Sequence, residues 1–172
     1  IKKLTKYFKN KNSILPDTKL SINDLIIERN QKIAIFGKSG SGKSCLLDIL
    51  MGLTGFDEGE CNLNVGLNEI AFASQNTFIA DGTFGFNITN NIDIDSWDFE
   101  RMRFACKHAS LDFDDSLPFK YINKEIISGG QSKRIGLARA LYSQRKILVI
   151  DEVDSGLDKK IISSIFEKLL SD

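Results

Sequence analysis

The residues whose types and spacing most clearly indicate a chemical role lie in one glycine-rich stretch of the form G-x-x-x-x-G-K-[ST]. Its eight residues are Gly37, Lys38, Ser39, Gly40, Ser41, Gly42, Lys43 and Ser44. Glycines let successive backbone N–H groups turn toward one anion, and the N-terminus of a following helix adds positive potential. Lys43 adds a point charge, and Ser44 offers a hydroxyl to Mg²⁺. The stretch therefore predicts a loop that binds the phosphates of a nucleotide.

A second group of polar side chains follows two apolar runs. Asp151 and Glu152 come after residues 147–150, and Gln75 comes shortly after residues 70–73. A central parallel strand would deliver Asp151 to Mg²⁺, while Glu152 points to the other side and polarises a water. The uncharged amide of Gln75 can reach a metal ion or its water, although an ordinary loop glutamine is the alternative interpretation.

A third candidate is the start of a helix predicted to begin near residue 128. Ser128 can cap that helix, and Gly129 and Gly130 expose backbone N–H groups beside Gln131 at its positive end. This pattern predicts a second anion-binding helix terminus. On these residues alone, a capped helix with a purely structural role is the favoured interpretation.

The elements around these groups must position them. Residues 33–36 predict a buried strand that enters the glycine-rich loop, and residues 43–53 predict the helix that leaves it. Alternating apolar residues at 20 and 22 and the run 25–27 predict further strands before the loop. The last predicted helix covers residues 159–170.

The segment 81–127 lacks a strand pattern and predicts a helical subdomain, with an amphipathic helix near 97–109. On the charged face of that helix, His108 is expected to be solvated rather than a ligand. Near the N-terminus, Tyr7 and Phe8 are candidates to stack on an adenine ring, or they cover the edge of a sheet.

Composition excludes several classes of protein. The chain has 172 residues, 42% of them hydrophobic, which suits one α/β domain with a real core. With 23 basic and 23 acidic residues, no excess charge favours nucleic acid or anionic lipid. Cys45, Cys61 and Cys106 form no metal-type pair and are expected to be reduced thiols in a cytosolic compartment. No apolar run approaches the roughly 18 residues of a membrane span.

In this order, the motifs resemble the nucleotide-binding domain of ATP-binding cassette (ABC) proteins. Residues 37–44 look like the Walker A loop, Gln75 the Q-loop glutamine, and residues 127–131 the LSGGQ signature with Ile in place of Leu. Residues 147–151 look like Walker B, followed by the catalytic glutamate at Glu152 and a D-loop at 155–158. The resemblance covers nearly the whole chain.

The resemblance implies an α/β P-loop NTPase fold with a mostly parallel core sheet, an N-terminal antiparallel β region and an inserted helical subdomain. It divides the single domain into a core (1–80 and 128–172) and the subdomain 81–127. It implies that Mg²⁺ is bound by Ser44, Gln75 and Asp151, and that catalysis uses Glu152, Lys43 and Gln75. The implied contacts to ATP come from these residues: 37–44, Cys45, Tyr7, Ser128, Gly129, Gly130 and Gln131.

The resemblance also implies partners and a location. Two such domains pair head to tail around ATP, and hydrolysis drives a transmembrane domain at the cytoplasmic face of a membrane. The segment 75–88 looks like the exporter pattern, and the short stretch before Gln75 is similar to the multidrug-resistance-associated and cystic fibrosis channel subfamily. The chain begins at Ile1 without an initiator Met, so we expect it to be a fragment of a longer protein. The family's switch histidine would lie beyond its last residue.

Two alternatives to an export ATPase follow from the same residues. The first is a domain that holds ATP as a regulatory or structural ligand with little turnover; a reduced acidic loop before the signature, at residues 121–126, favours it. The second is an ABC ATPase that acts on DNA or ribosomes without transport. The neutral composition and the short interval between Gln75 and Ser128 argue against the second.

Overall fold

The computed structural model describes residues 1–8, 18–62, 65–152 and 158–171. They form two compact units, Ile1–Leu67 and Asn68–Asp172. The finer division into a core and a subdomain over 81–127 stays a prediction.

The first unit contains a three-stranded antiparallel sheet and one helix. Its strands are β1 (Lys2–Phe8), β2 (Thr18–Asp24) and β3 (Glu58–Glu60), in the order β2-β1-β3. The middle of β1 is buried at two adjacent residues, Leu4 and Thr5, and Leu4 is completely buried opposite Ile22. This sheet confirms the predicted antiparallel β region.

The helix of the first unit, α1 (Lys43–Leu50), begins at the residue that the glycine-rich motif predicts. It is shorter than the predicted range 43–53 because Gly52, at φ +69°, ends the helical backbone soon after Met51. Ile49 and Met51 bury the apolar side of this segment.

Two strands predicted before the loop are absent from the described structure. Residues 25–27 and 33–36 are not in a strand there, although Leu25 exchanges backbone hydrogen bonds with Ile1, and Phe36 is 90% exposed. The prediction of a buried strand at 33–36 is therefore wrong for this structure. An apolar run becomes a strand only where a neighbouring backbone pairs with it and a second layer covers it, and its own composition supplies neither.

The second unit is built on a parallel strand pair. Strand β4 (Ile70–Ala73) pairs with β7 (Ile147–Ile150) along their full lengths, with Ala73 opposite Ile150. Both strands confirm the sequence prediction. A short antiparallel pair, β5 (Gly82–Thr83) with β6 (Tyr121–Ile122), closes the segment between them.

Helix α4 (Gly129–Tyr142) packs on the parallel pair, and α2 (Phe84–Thr89) and α3 (Phe99–His108) pack against α4. Helix α5 (Lys159–Ser171) packs against α3. Their common core is fully closed to solvent at Met102, Leu137 and Ile165. Asp98 caps α3 and Ser128 caps α4, so both helices begin where a side chain satisfies an exposed N–H group.

His108 corrects a prediction made from the charge pattern of α3. Its side chain is 8% exposed, its Nδ1 lies 2.9 Å from the carbonyl oxygen of Phe104, and its ring packs on the Phe104 ring. The expected solvated histidine is therefore buried. The charged neighbours on α3 did not reveal this, because burial depends on what packs against the helix.

Three smaller findings complete the fold. Residues 67–69 form a 3-10 turn directly before β4. Of the predicted D-loop, only Asp158 lies within the described residues. None of the helices in the described ranges has both the length and the apolar character needed to cross a bilayer.

Candidate functional site

The glycine-rich loop adopts a backbone that its glycines make possible. Gly40 and Gly42 have φ of +75° and +92°, in the left-handed region that favours glycine. Gly42 directly precedes α1, and its carbonyl accepts the first helical hydrogen bond from Leu46 N–H at 2.8 Å. The turn thus ends at a helix N-terminus, whose unpaired N–H groups favour an anion.

Lys43 lies across this loop. Its ammonium group donates to the carbonyl oxygens of Gly37 and Lys38, both at 2.9 Å. Ser41 N–H donates to the carbonyl of Lys38 at 3.2 Å, which tightens the same turn. The lysine charge is therefore held beside the loop amides, where it adds to the field that a phosphate group would meet.

Strand β2 supports the end of the loop. A Cβ atom on Gly42 would lie 3.1 Å from Leu20 Cδ1, so Gly42 sits against that strand with little spare room.

Cys45, in the first turn of α1, is half-buried; burial raises the pKa of its thiol, and the nearby Lys6 only partly opposes this. Cys45 is therefore a neutral thiol near neutral pH, and its backbone N–H remains its contribution to an anion site.

Tyr7 lies on the same β1 strand as Lys6. Its ring is about half exposed, its backbone N–H donates to Asp57 at 2.6 Å, and its hydroxyl donates to Glu58 at 3.4 Å. Phe8 is also partly exposed, and the Lys6 ammonium lies 5.9 Å from its ring centre. Both aromatic faces are accessible, so the adenine-stacking role of Tyr7, with Phe8 second, stays a prediction.

In the second unit, the predicted Q-loop and Walker B residues lie together. Strands β4 and β7 run in parallel, so their carboxyl ends meet at one edge, where Asp151 N–H donates to the carbonyl of Ala73 at 3.0 Å. At that edge, the side-chain amide of Gln75 donates a hydrogen bond to the carboxylate of Glu152. The structure thus joins Gln75 and Glu152, which lie 77 residues apart in the sequence.

The start of α4 carries a reciprocal capping arrangement. Ser128 Oγ accepts from Gln131 N–H at 3.2 Å, and Gln131 Oε1 accepts from Ser128 N–H at 3.0 Å. Both side chains act here as acceptors, which leaves the Ser128 O–H and the Gln131 NH₂ as donors on an exposed surface. With the N–H groups of Gly129 and Gly130, they form a set of donors suited to an anion.

Sequence reasoning missed the residues that follow this cap. Ser132 Oγ donates to the carbonyl of Thr77 at 3.2 Å, and Lys133 Nζ donates to the carbonyl of Glu152 at 3.2 Å. The only signal for them in the sequence is their place directly after Gln131, which carries no indication of these distant partners.

Arg139 on α4 forms hydrogen bonds with the segment that follows Gln75. Its guanidinium donates to the carbonyls of Asn87 at 2.7 Å and Phe78 at 2.8 Å. Burial lowers the pKa of Arg139, but two carbonyl acceptors satisfy the charged group where it lies. The segment after Gln75 is therefore attached to α4 at several points.

Comparison with known proteins agrees with this arrangement of motifs. Residues 20–155 match the family described as "ABC transporter". The chain belongs to the ABC transporter family. The expectation of an ATP-binding domain of exporter type is thereby confirmed, as is the expected P-loop α/β fold.

Two curated relatives in the ABC transporter family are transport proteins. The chain is 36% identical over 152 residues to the lacticin-481/lactococcin-DR transport/processing ATP-binding protein of Lactococcus lactis subsp. lactis, covering 84% of this chain and 22% of that protein. It is 33% identical over 153 residues to multidrug resistance protein mrp-7 of Caenorhabditis elegans, covering 86% of this chain and 10% of that protein. This ABC chain thus spans less than a quarter of the length of either relative.

A solved structure shows the same ABC fold. A bacterial Atm1-family ABC exporter with ATP bound superposes with a TM-score of 0.77 at 20% identity, covering 99% of this chain and 32% of that one. At this level of identity, the likeness concerns the fold alone.

Proposed function

We propose that this ABC domain binds Mg-ATP and hydrolyses it. The observation that carries the proposal is the hydrogen bond between Gln75 and Glu152 at the carboxyl edge of β4 and β7. Open α/β sheets bind their ligands at this edge, and a carboxylate held there by a neutral amide is suited to act as a general base on water.

The first unit supplies groups for the phosphates. Apart from the Ser41 N–H, which donates to the Lys38 carbonyl, the loop N–H groups of residues 37–44 and the N–H of Cys45 would bind phosphate oxygens at the start of α1, and the Lys43 charge would stabilise them. Ser44 adds a hydroxyl oxygen for a magnesium ion. These residues bind and orient the nucleotide, and they stabilise the charge that develops on the transferred phosphoryl group.

The second unit offers oxygen ligands of the kind Mg²⁺ prefers. Because Gln75 uses its amide nitrogen toward Glu152, its amide oxygen is the atom left for a cation, and Asp151 adds a carboxylate. Among the described residues, no group of three or more His, Cys, Asp or Glu side chains is placed to hold a metal ion. When bound, Mg²⁺ would neutralise phosphate charge, while Glu152 takes the proton of the attacking water.

We further propose that the donors at the start of α4 serve a second copy. Ser128, Gly129, Gly130 and Gln131 present hydrogen-bond donors outward, and the resemblance implies a head-to-tail pair of domains. In that pair they would bind the terminal phosphate of ATP held by the partner. The relative named as a transport/processing ATP-binding protein supports a role in transport. We propose that this role is export, driven with a transmembrane domain at the cytoplasmic face of a membrane.

A second candidate function is the binding of ATP as a regulatory or structural ligand with little turnover. The reduced acidic loop at residues 121–126, which comes just before the cap at Ser128, favours it. The two candidates agree on nucleotide binding and differ on hydrolysis.

Single-turnover hydrolysis of radiolabelled ATP by the full-length protein separates these functions. The wild-type protein should release phosphate, while Glu152→Gln should bind ATP, lose at least about a hundredfold in rate and accumulate as an ATP-bound dimer on gel filtration. Glu167→Gln, an exposed change on α5, is the matched control and should retain the wild-type rate. Tight ATP binding without turnover in the wild-type protein would instead establish the second candidate.

A further inference from the structure

The signature helix α4 is connected to both catalytic segments through two consecutive residues. Ser132 donates to the Thr77 carbonyl, two residues after Gln75, and Lys133 donates to the Glu152 carbonyl. Since Gln75 also donates to the Glu152 carboxylate, these contacts close a ring of hydrogen bonds within one copy of the domain.

The backbone at Glu152 needs such support. Its φ is +49°, a left-handed conformation that is unfavourable for a non-glycine residue. The carbonyl of that residue accepts from Lys133 Nζ at 3.2 Å. A charged donor on this carbonyl stabilises the peptide orientation that aims the Glu152 side chain at Gln75.

The ring of hydrogen bonds is rigid on its Thr77 side, because α4 packs very closely on the segment that follows Gln75. A Cβ atom on Gly136 would lie 2.2 Å from Thr77 Oγ1, so only glycine allows this approach. Thr77 in turn donates from Oγ1 to the Ser74 carbonyl at 3.4 Å. The helix segment that bears Lys133 is therefore held at a set distance from the Gln75 segment.

We propose that Lys133 is a positioning residue that places the Glu152 carboxylate for hydrolysis. This rests on the proposed function, in which Glu152 is the base. Lys133 acts through the Glu152 backbone and needs no contact with the nucleotide. A displacement of α4 would therefore move the Glu152 carboxylate through the contact that Lys133 makes.

The first test compares steady-state ATP hydrolysis by the full-length wild-type protein and its Lys133→Met variant. Loss of the ammonium group should lower kcat by about tenfold or more and leave KM for ATP within about twofold. Lys133→Arg keeps a charged donor and should recover most of kcat. Lys107→Met, an exposed change on α3, is the control and should match the wild type. An unchanged kcat in Lys133→Met, or no recovery in Lys133→Arg, would overturn the proposal.

The second test reads the positioning itself, without turnover. Amide hydrogen exchange should become faster at Asp151 and Glu152 in Lys133→Met, with no change in the α4 amides of residues 135–142. If exchange at the β7 end is unchanged, the positioning role is wrong. If the wild-type protein does not hydrolyse ATP but exchange responds as described, the proposed function fails while the structural role of Lys133 stands.

Discussion

Asn87 satisfies both backbone polar groups of Ala80 with one side chain. Its Oδ1 accepts from Ala80 N–H at 2.9 Å, and its Nδ2 donates to the Ala80 carbonyl at 3.0 Å and to the Thr83 carbonyl at 3.1 Å. The side chain is 1% exposed, so it replaces water for a loop that has no ladder partner at this point. This asparagine in α2 therefore holds the chain that runs on from Gln75.

Asn87→Asp tests that role. The substitution replaces the Nδ2 donor with an oxygen that faces two carbonyl oxygens, and it adds a buried negative charge. We expect the free energy of unfolding to fall by about 3 kcal/mol or more at neutral pH, measured by urea denaturation. Asn90→Asp, at the exposed end of the same helix, should cost less than about 1 kcal/mol. Equal effects of the two changes would contradict this account.

Lys43→Ala should remove nucleotide binding. The lysine charge lies beside the loop carbonyls of residues 37 and 38, and methyl replacement leaves the phosphates without that charge. We expect the affinity for Mg-ATP, measured by isothermal titration calorimetry, to fall at least about a hundredfold. Lys107→Ala should bind ATP as the wild type does. Undiminished ATP binding by Lys43→Ala would show that the loop is not the phosphate site.

Gly42→Ala should destabilise the glycine-rich loop and lower its affinity for ATP. The added methyl group meets Leu20 at 3.1 Å, and a φ of +92° strains any L-residue. We expect unfolding to become easier by about 1–2 kcal/mol, with a parallel loss of ATP affinity. Gly55→Ala is a matched control in the same unit, since its methyl group would meet nothing within 4 Å. Similar losses in both variants would argue against a backbone requirement at Gly42.

Because the thiol of Cys106 is buried, we expect the free energy of unfolding to depend on pH. Its side chain is fully buried, and burial raises the pKa of the thiol from 9.0 to about 12. The unfolded thiol therefore loses its proton above pH 9 while the folded one keeps it. The stabilisation that this pKa difference gives is fully present below pH 9. It is lost as the pH rises toward 12, where the free energy of unfolding falls by up to about 1.4 kcal/mol per pH unit.

The measurement is urea denaturation at pH 8 to 10.5, compared between the wild type and Cys106→Ala. The alanine variant is less stable at pH 8, but its stability should fall less steeply as the pH rises. Parallel pH profiles would show that Cys106 does not contribute.

Local interactions explain why several features were predictable from residue types. The helix start at Lys43 and the cap at Ser128 depend on groups within four residues of one another, and the apolar runs of β4 and β7 are long enough to identify. In each case, the residues that decide the conformation are neighbours in the chain. Their order along the sequence also indicated the ABC family.

Other features depend on partners that are distant in sequence. His108 is buried because of what packs on α3, and residues 33–36 lack the ladder that their composition suggests. Lys133 meets Glu152 across 19 residues of chain, and neither residue type indicates the other.

By itself, the sequence determined which groups are available: a glycine-rich loop with Lys43, a capped donor set at Ser128, and acids after an apolar strand. Only the tertiary structure decided that the amide of Gln75 holds the Glu152 carboxylate while Lys133 holds its backbone. The reason is physical. Chemical identity and local backbone preference belong to each residue and its neighbours, whereas a contact across 77 residues exists only after strand pairing and helix packing bring both ends together.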